Sequence, residues 1–124
     1  LDNITTCRIK NAKLYDQKLG ELEQISLVKR DTSLKEVFHL YQFTAKDRDH
    51  LANYLKSKGV DAKIHYPTPM HLQPAAKKYG YSQGDFPVAE ELSDTSISLP
   101  VHEFITPEQI DYTSNLIKKF YAVK

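Results

Sequence analysis

Glu36-Val37-Phe38-His39-Leu40-Tyr41-Gln42-Phe43 is the stretch on which the fold turns. In an extended chain Val37, His39, Tyr41 and Phe43 share one face, and Phe38, Leu40 and Gln42 share the other. Both faces are mostly apolar, which is the pattern of a central strand covered on both sides. In that setting His39 reads as a core histidine satisfied by its neighbours rather than as a ligand.

Working outward, Asp47 or Thr44 starts a helix whose inner stripe is Leu51, Ala52 and Leu55. Gly59 ends it, and Val60 can close back on Leu55 in a Schellman cap. Ala62 to Tyr66 reads as a second strand. If the two strands are parallel neighbours, the strand–helix–strand spacing suits a right-handed crossover. Upstream, Glu21 to Ser33 has no clear period and reads as an extended segment laid over the core. Before it, Thr5 or Thr6 can cap a helix running to about Leu19, with Ala12, Tyr15 and Leu19 on one stripe. Gly20 suits a left-handed residue just past its end. Arg8 lies on the same stripe: its stem covers apolar surface at the edge of a core, or its guanidinium reaches a carboxylate or phosphate.

Downstream, Pro74 to Tyr79 reads as a short helix stopped by Gly80, and Tyr81 to Gly84 as a turn. Asp85 to Leu92 reads as a helix with Pro87 near its first turn, where the missing donor does no harm. Ser96-Ile97-Ser98-Leu99 alternates cleanly as a strand and ends at Pro100. Thr106-Pro107-Glu108-Gln109 is a capping box, with Ile105 and Ile110 as its staple. Ile110, Leu116, Ile117 and Phe120 form the inner stripe of the last helix. The fold class is α/β (α+β-like): a small three-stranded sheet packed with helices, in one domain over residues 1–124.

The totals agree with that reading and narrow the function. The chain has 124 residues, 40% apolar and 27% charged, an ordinary globular balance. A net charge of +1 provides no field that would draw nucleic acid or an acidic membrane. One cysteine, Cys7, cannot make a disulfide within the chain, which fits a reducing, cytoplasmic setting. No apolar run approaches the roughly 20 residues of a membrane span. The first residues resemble neither a signal nor a transit peptide. They lack an initiator methionine, so the expectation is a piece of something longer.

The chemistry concentrates in Ile64-His65-Tyr66-Pro67-Thr68-Pro69-Met70-His71-Leu72-Gln73. Two prolines stiffen it and bias Tyr66 and Thr68 toward extended angles. A rigid loop carrying imidazole and phenol groups is a natural place for binding residues. Zinc is poorly supported: His65 and His71, with His39 or His102, match no ligand spacing, and no carboxylate accompanies the loop. Cys7 has no local partner motif for nucleophilic catalysis. The four glycines are scattered and form no phosphate loop, and the eight tyrosines form no stripe for RNA. The residues alone support a ligand-contacting loop and no complete catalytic machine.

His65-Tyr66-Pro67-Thr68-Pro69-Met70-His71-Leu72-Gln73-Pro74 resembles the motif near the C-terminus of nucleotide-sugar aminotransferases of the DegT/DnrJ/StrS family. The resemblance continues through Gly84 to Ser93 and Ser98-Leu99-Pro100. It takes in Arg8, Ala12 and Tyr15, His39 to Tyr41, and the Thr106 to Phe120 helix, nearly the whole chain in order. It implies the C-terminal small domain of a fold type I enzyme that uses pyridoxal phosphate. Residues 1–20 would be the interdomain helix and residues 21–124 the αβ core, with the large cofactor-binding domain absent. The implied reaction moves an amino group from glutamate to a keto sugar carried on UDP or dTDP, for polysaccharide or secondary-metabolite synthesis. The enzyme would be a homodimer, with neither nucleic acid nor membrane as partner. No lysine here sits in the matching context, so the resemblance implies no pyridoxal phosphate bound by these residues and no activity from them alone. His65 and Tyr66 match a pair that touches the nucleotide sugar, and His71 is their neighbour in that substrate-binding role. Arg8, Glu90 and Tyr41 read as structural. A related sugar dehydratase and a free-standing sugar-nucleotide-binding or regulatory module are the alternatives.

Overall fold

The computed structural model describes residues 1–122. The last two residues of the expected 21–124 core lie outside the described residues. Helix α1 (Asp2–Leu19) leads into strand β1 (Ile25–Leu27), strand β2 (Tyr41–Ala45) and helix α2 (Arg48–Ser57). Two 3₁₀ segments, Met70–Leu72 and Pro74–Tyr79, precede helix α3 (Pro87–Thr95), strand β3 (Ser96–Leu99) and helix α4 (Pro107–Ala122). The sheet has three strands in the order β1-β2-β3, and every pairing is antiparallel.

Alternation along β2 sorts the molecule into two sides. Tyr41, Phe43 and Ala45 are buried, as are Ile97 and Leu99 on β3. They meet Ala12, Tyr15 and Leu19 of α1, Leu51, Ala52 and Leu55 of α2, and Ile110 and Ile117 of α4 in one cluster. Tyr15 and Tyr41 stack with ring centroids 4.7 Å apart. The Tyr41 hydroxyl donates to Asp16 Oδ1 at 2.8 Å, tying β2 to α1. Burial and then this bond push the Tyr41 phenol well above its ordinary pKa. On the opposite face Ser26 stands across from Thr44, Thr44 from Ser96, and Gln42 from Ser98. That face is polar and only partly covered.

The helix ends follow local chemistry. Gly59, with φ of +81°, closes α2. The Gly59 N–H reaches Lys56 O at 3.0 Å and the Val60 N–H reaches Leu55 O at 3.0 Å, which is the expected Schellman pair. At α4 the Thr106 N–H donates to Gln109 Oε1 at 2.9 Å, and the Gln109 N–H to Thr106 Oγ1 at 3.3 Å, completing the capping box.

Several expectations are corrected. The run from Glu36 to Phe43 is not one strand, since pairing begins at Tyr41. Phe38 has φ of +50°, a left-handed conformation rare for a bulky residue. Its carbonyl and that of His39 accept hydrogen bonds from Arg8 Nη1, both at 3.2 Å, so an arginine takes acceptors a ladder would use. Arg30 lies over the Phe38 ring at 4.9 Å, which fixes the corner from its other side. His39 is exposed and is not a core residue.

Ala62 to Tyr66 is not a strand; it contributes one isolated bridge, Lys63 with Ser98. The third strand is Ile25–Leu27, inside the segment without a clear period, and the antiparallel order excludes the parallel crossover. Helix α1 begins at Asp2, and the Thr6 hydroxyl bonds back to Asp2 O at 2.9 Å instead of capping. Gly20 stays right-handed, with φ of −62°. Helix α3 starts at Pro87 and runs on to Thr95.

Candidate functional site

The loop after Lys63 is held on the polar face of the sheet by side chains that reach its backbone. Gln42 Nε2 donates to His65 O at 3.1 Å. The Ser93 hydroxyl, from α3, donates to Tyr66 O at 2.6 Å. The His65 ring approaches Ser98 on β3, with Nδ1 3.1 Å from Oγ. Pro67 has no N–H to place, so these two carbonyls are the polar atoms most in need of partners at the turn. Each element thus supplies one anchor; the His65 ring is held against Ser98, and the Tyr66 side chain is left to project. Tyr66 is 73% exposed.

His65 borders two clefts. The larger, about 770 Å³, has Ser26, Gln42, Thr44 and Ser96 among its polar lining and Tyr66, Met70, Val88 and Leu92 among its apolar lining. The smaller, about 270 Å³, brings His65 and Ser98 together with Arg8, His39, Lys63 and His102. Its lining is rich in hydrogen-bond donors, with Asp61 as the acid. Of the two readings of Arg8, the structure shows the guanidinium reaching a carboxylate: Nη2 lies 3.4 Å from Glu103 Oε2.

His71 is placed differently. It lines neither cleft, and its side chain is 8% exposed. Nε2 lies 2.9 Å from Glu90 Oε1, and the ring packs 4.8 Å from that of Phe86. Glu90 also accepts from the Gly84 N–H at 2.8 Å and the Phe86 N–H at 3.4 Å. Partial burial works to raise the Glu90 carboxyl, but the Gly84 N–H, His71 and the Phe86 N–H outweigh it and hold the group below the usual carboxylate range. His71 and Glu90 therefore form a latch that fastens the far end of the loop to the start of α3.

Arg48 supports the same region from beneath. It is 6% exposed, and Nη1 donates to Ser93 O at 2.9 Å and Ser96 O at 2.7 Å, fixing the corner where α3 becomes β3. Sequence reasoning missed Gln42, Arg48, Ser93 and Ser98. For Ser98 a signal existed, because Ser96 and Ser98 put two hydroxyls on one face of an otherwise buried strand. Among the described residues no group of three or more His, Cys, Asp or Glu side chains is arranged to hold a metal ion. Cys7 neighbours Asn3 at 4.0 Å.

An antiparallel three-stranded sheet with α1, α2 and α4 on one side and a proline-stiffened loop with α3 on the other defines an α+β domain that presents a binding loop. The chain belongs to the DegT/DnrJ/EryC1/StrS aminotransferase family, whose model matches residues 1–118. It is 35% identical over 118 residues to the erythromycin biosynthesis sensory transduction protein EryC1 of Saccharopolyspora erythraea, covering 95% of this chain and 32% of that protein. A pleiotropic regulatory protein of Geobacillus stearothermophilus is also 35% identical, over 98% of this chain and 33% of its own length. The dTDP-3-amino-3,4,6-trideoxy-alpha-D-glucose transaminase of Streptomyces venezuelae is 33% identical over 82% of this chain and 27% of its own. Among solved structures, S. venezuelae DesV in complex with a ketimine intermediate superposes with a TM-score of 0.91 at 28% identity, covering 96% of this chain and 32% of that one. The chain thus spans about a third of the length of these relatives.

The residues described do not form a pyridoxal phosphate site. Among the described lysines, Lys63 is the one lining either cleft, and its amine is 2.7 Å from Asp61, with side chains 57% and 70% exposed. A Schiff-base lysine needs a sheltered cleft and a separate acid for the pyridine nitrogen. Here the acid is spent on the lysine itself.

Proposed function

We propose that this chain is the C-terminal small domain of a pyridoxal-phosphate-dependent aminotransferase acting on a nucleotide-linked keto sugar, with glutamate as amino donor. Residues 1–20 serve as the interdomain helix and residues 21–124 as the αβ core. The cofactor and its lysine belong to a large domain of the same chain, and the whole enzyme works as a cytoplasmic homodimer in amino-sugar or polysaccharide synthesis. The observation that carries this reading is the anchoring of His65 and Tyr66. Their carbonyls are tied to Gln42 and Ser93, while His65 borders both clefts and Tyr66 lines the larger. Imidazole and phenol so placed bind sugar hydroxyls or a diphosphate oxygen with little ordering cost on binding. His71 serves the same loop by fixing its far end.

The relatives support the substrate class. They include transaminases of dTDP sugars, such as that of S. venezuelae, and an aminotransferase of a UDP sugar from Acidithiobacillus ferrooxidans. A second reading, a sugar-nucleotide-binding regulatory module, is favoured by one observation: EryC1 and the G. stearothermophilus protein carry regulatory names.

The experiment is expression of the full reading frame that contains these residues, with pyridoxal phosphate present. A yellow absorbance band that borohydride removes, leaving cofactor fixed to a lysine, together with glutamate-dependent amination of a nucleotide keto sugar, supports the aminotransferase. Cofactor that binds without becoming fixed assigns the dehydratase chemistry instead. A protein that binds sugar nucleotide and takes up no cofactor is the regulatory module.

A further inference from the structure

Ser98 is 2% exposed, and its backbone is fully engaged: its N–H reaches Lys63 O at 2.8 Å and its carbonyl accepts from the Lys63 N–H at 3.0 Å. Its Oγ has one side-chain partner among the described residues, His65 Nδ1. A serine hydroxyl carries one proton, and a buried O–H left without an acceptor costs about 1–3 kcal/mol. If Nδ1 carried a proton and donated to Oγ, the Ser98 proton would have no acceptor. If Ser98 donates, both groups are satisfied and Nδ1 is the bare nitrogen. In the neutral ring the proton then sits on Nε2, which has no partner among the described residues.

We propose that Ser98 is a positioning residue that fixes His65 as the Nε2–H tautomer, so that the ring offers its ligand a hydrogen-bond donor. The inference rests on the reading of His65 as a ligand contact given above, and it adds the sign of that contact. The complementary group is an oxygen without a proton of its own, a phosphoryl or carbonyl oxygen. The smaller cleft fits such a group, since Arg8, Lys63, His39 and His102 line it with His65 and Ser98 against a single acid, Asp61, although Lys63 is paired with Asp61 and Arg8 with Glu103. Gln42 completes the support: it stands opposite Ser98 in the sheet and holds the His65 carbonyl, so one strand pair fixes both the backbone and the ring of the same residue.

The test is long-range proton–nitrogen NMR of the chain labelled with ¹⁵N-histidine, at a pH where the imidazoles are neutral. The expected result for His65 is a pyridine-type Nδ1 and a pyrrole-type Nε2 in the wild type. Ser98→Thr keeps that pattern, and Ser98→Ala gives an average of the two tautomers. A wild-type Nδ1–H ring, a wild-type tautomer mixture, or an unchanged pure Nε2–H ring in Ser98→Ala would each overturn the proposal. Where Ser98→Ala does not fold, the wild-type spectrum and Ser98→Thr decide it. Titration with uridine diphosphate separates the two layers. Apparent affinity scales with the competent fraction, so an even tautomer mixture lowers it about twofold in Ser98→Ala and leaves Ser98→Thr unchanged. Equal affinity of wild type and Ser98→Ala overturns the donor role. An Nε2–H ring in a protein that binds no uridine diphosphate removes the nucleotide reading and leaves the assignment of Ser98 standing.

Discussion

The two faces of the sheet are built on opposite rules. On the helix side, Tyr41, Phe43, Ile97 and Leu99 are enclosed by three helices, and cohesion comes from apolar area with a few tethers such as Tyr41 to Asp16. On the other side, Gln42 and Ser98 meet the loop through single hydrogen bonds, and Ser93 of α3 adds a third. Neighbouring residues on one strand therefore serve different ends: Ile97 holds the fold, and Ser98 aims a histidine. The division follows from the two-residue period of a strand, which lets one sequence carry a core and a site without mixing them.

The division can be tested by how far stability and loop order separate. The largest effect is expected from Ile97→Ala, which leaves a cavity in the core and costs about 2–5 kcal/mol, read as a fall in denaturation midpoint. Arg48→Ala comes next, because it strips charge-assisted bonds from two buried carbonyls; a loss of about 3 kcal/mol is expected in the same measurement. An alkaline titration probes the helix side by another route. Burial raises Tyr15 from 10.0 to about 12, so the unfolded chain gives up that proton first. Stability is complete below pH 10 and falls as pH rises toward 12, by roughly 2–3 kcal/mol for this group, checked by melts against a Tyr15→Phe control.

Thr106→Ala removes one arm of the capping box and should cost about 1 kcal/mol, in the same melts. Glu90→Gln sharpens the contrast most and moves the midpoint least. The folded Glu90 carboxyl lies below its ordinary range, so its contribution is present above the unfolded pKa and is lost as pH falls through the folded one. The variant should flatten that acid limb and speed amide exchange in residues 69–86, with the helix-side amides unchanged. Exchange that rises equally on both sides would show that the two faces are not separable.

The helix side was largely legible in the sequence because its signals are local. Leu51, Ala52 and Leu55, the Gly59 cap and the Thr106 box each need only a few adjacent residues to declare themselves. The errors fall where a distant side chain decides. Nothing near Phe38 announces that Arg8 and Arg30 will turn the chain there, so residues 36–40 read as strand. Ala62 to Tyr66 has strand composition, but Gln42 and Ser93 claim its carbonyls from elsewhere. Ile25–Leu27 is too short for its alternation to stand out from flanking charges. At the site, the histidine-proline motif was visible at once, whereas its anchors on β2, α3 and β3 are polar residues whose meaning appears only when the loop lies over them.

Strand β1 ends the sheet with three residues and one unpaired flank. Such a flank is a template to which another extended chain can add, and Glu23 and Lys29 stand as exposed charged gatekeepers on either side of it. Their protection is electrostatic and therefore perishable, since about 1 M salt shrinks its reach to roughly 3 Å. A concentrated preparation is therefore expected to associate faster as salt is raised, through this short border rather than through any loosening of the core.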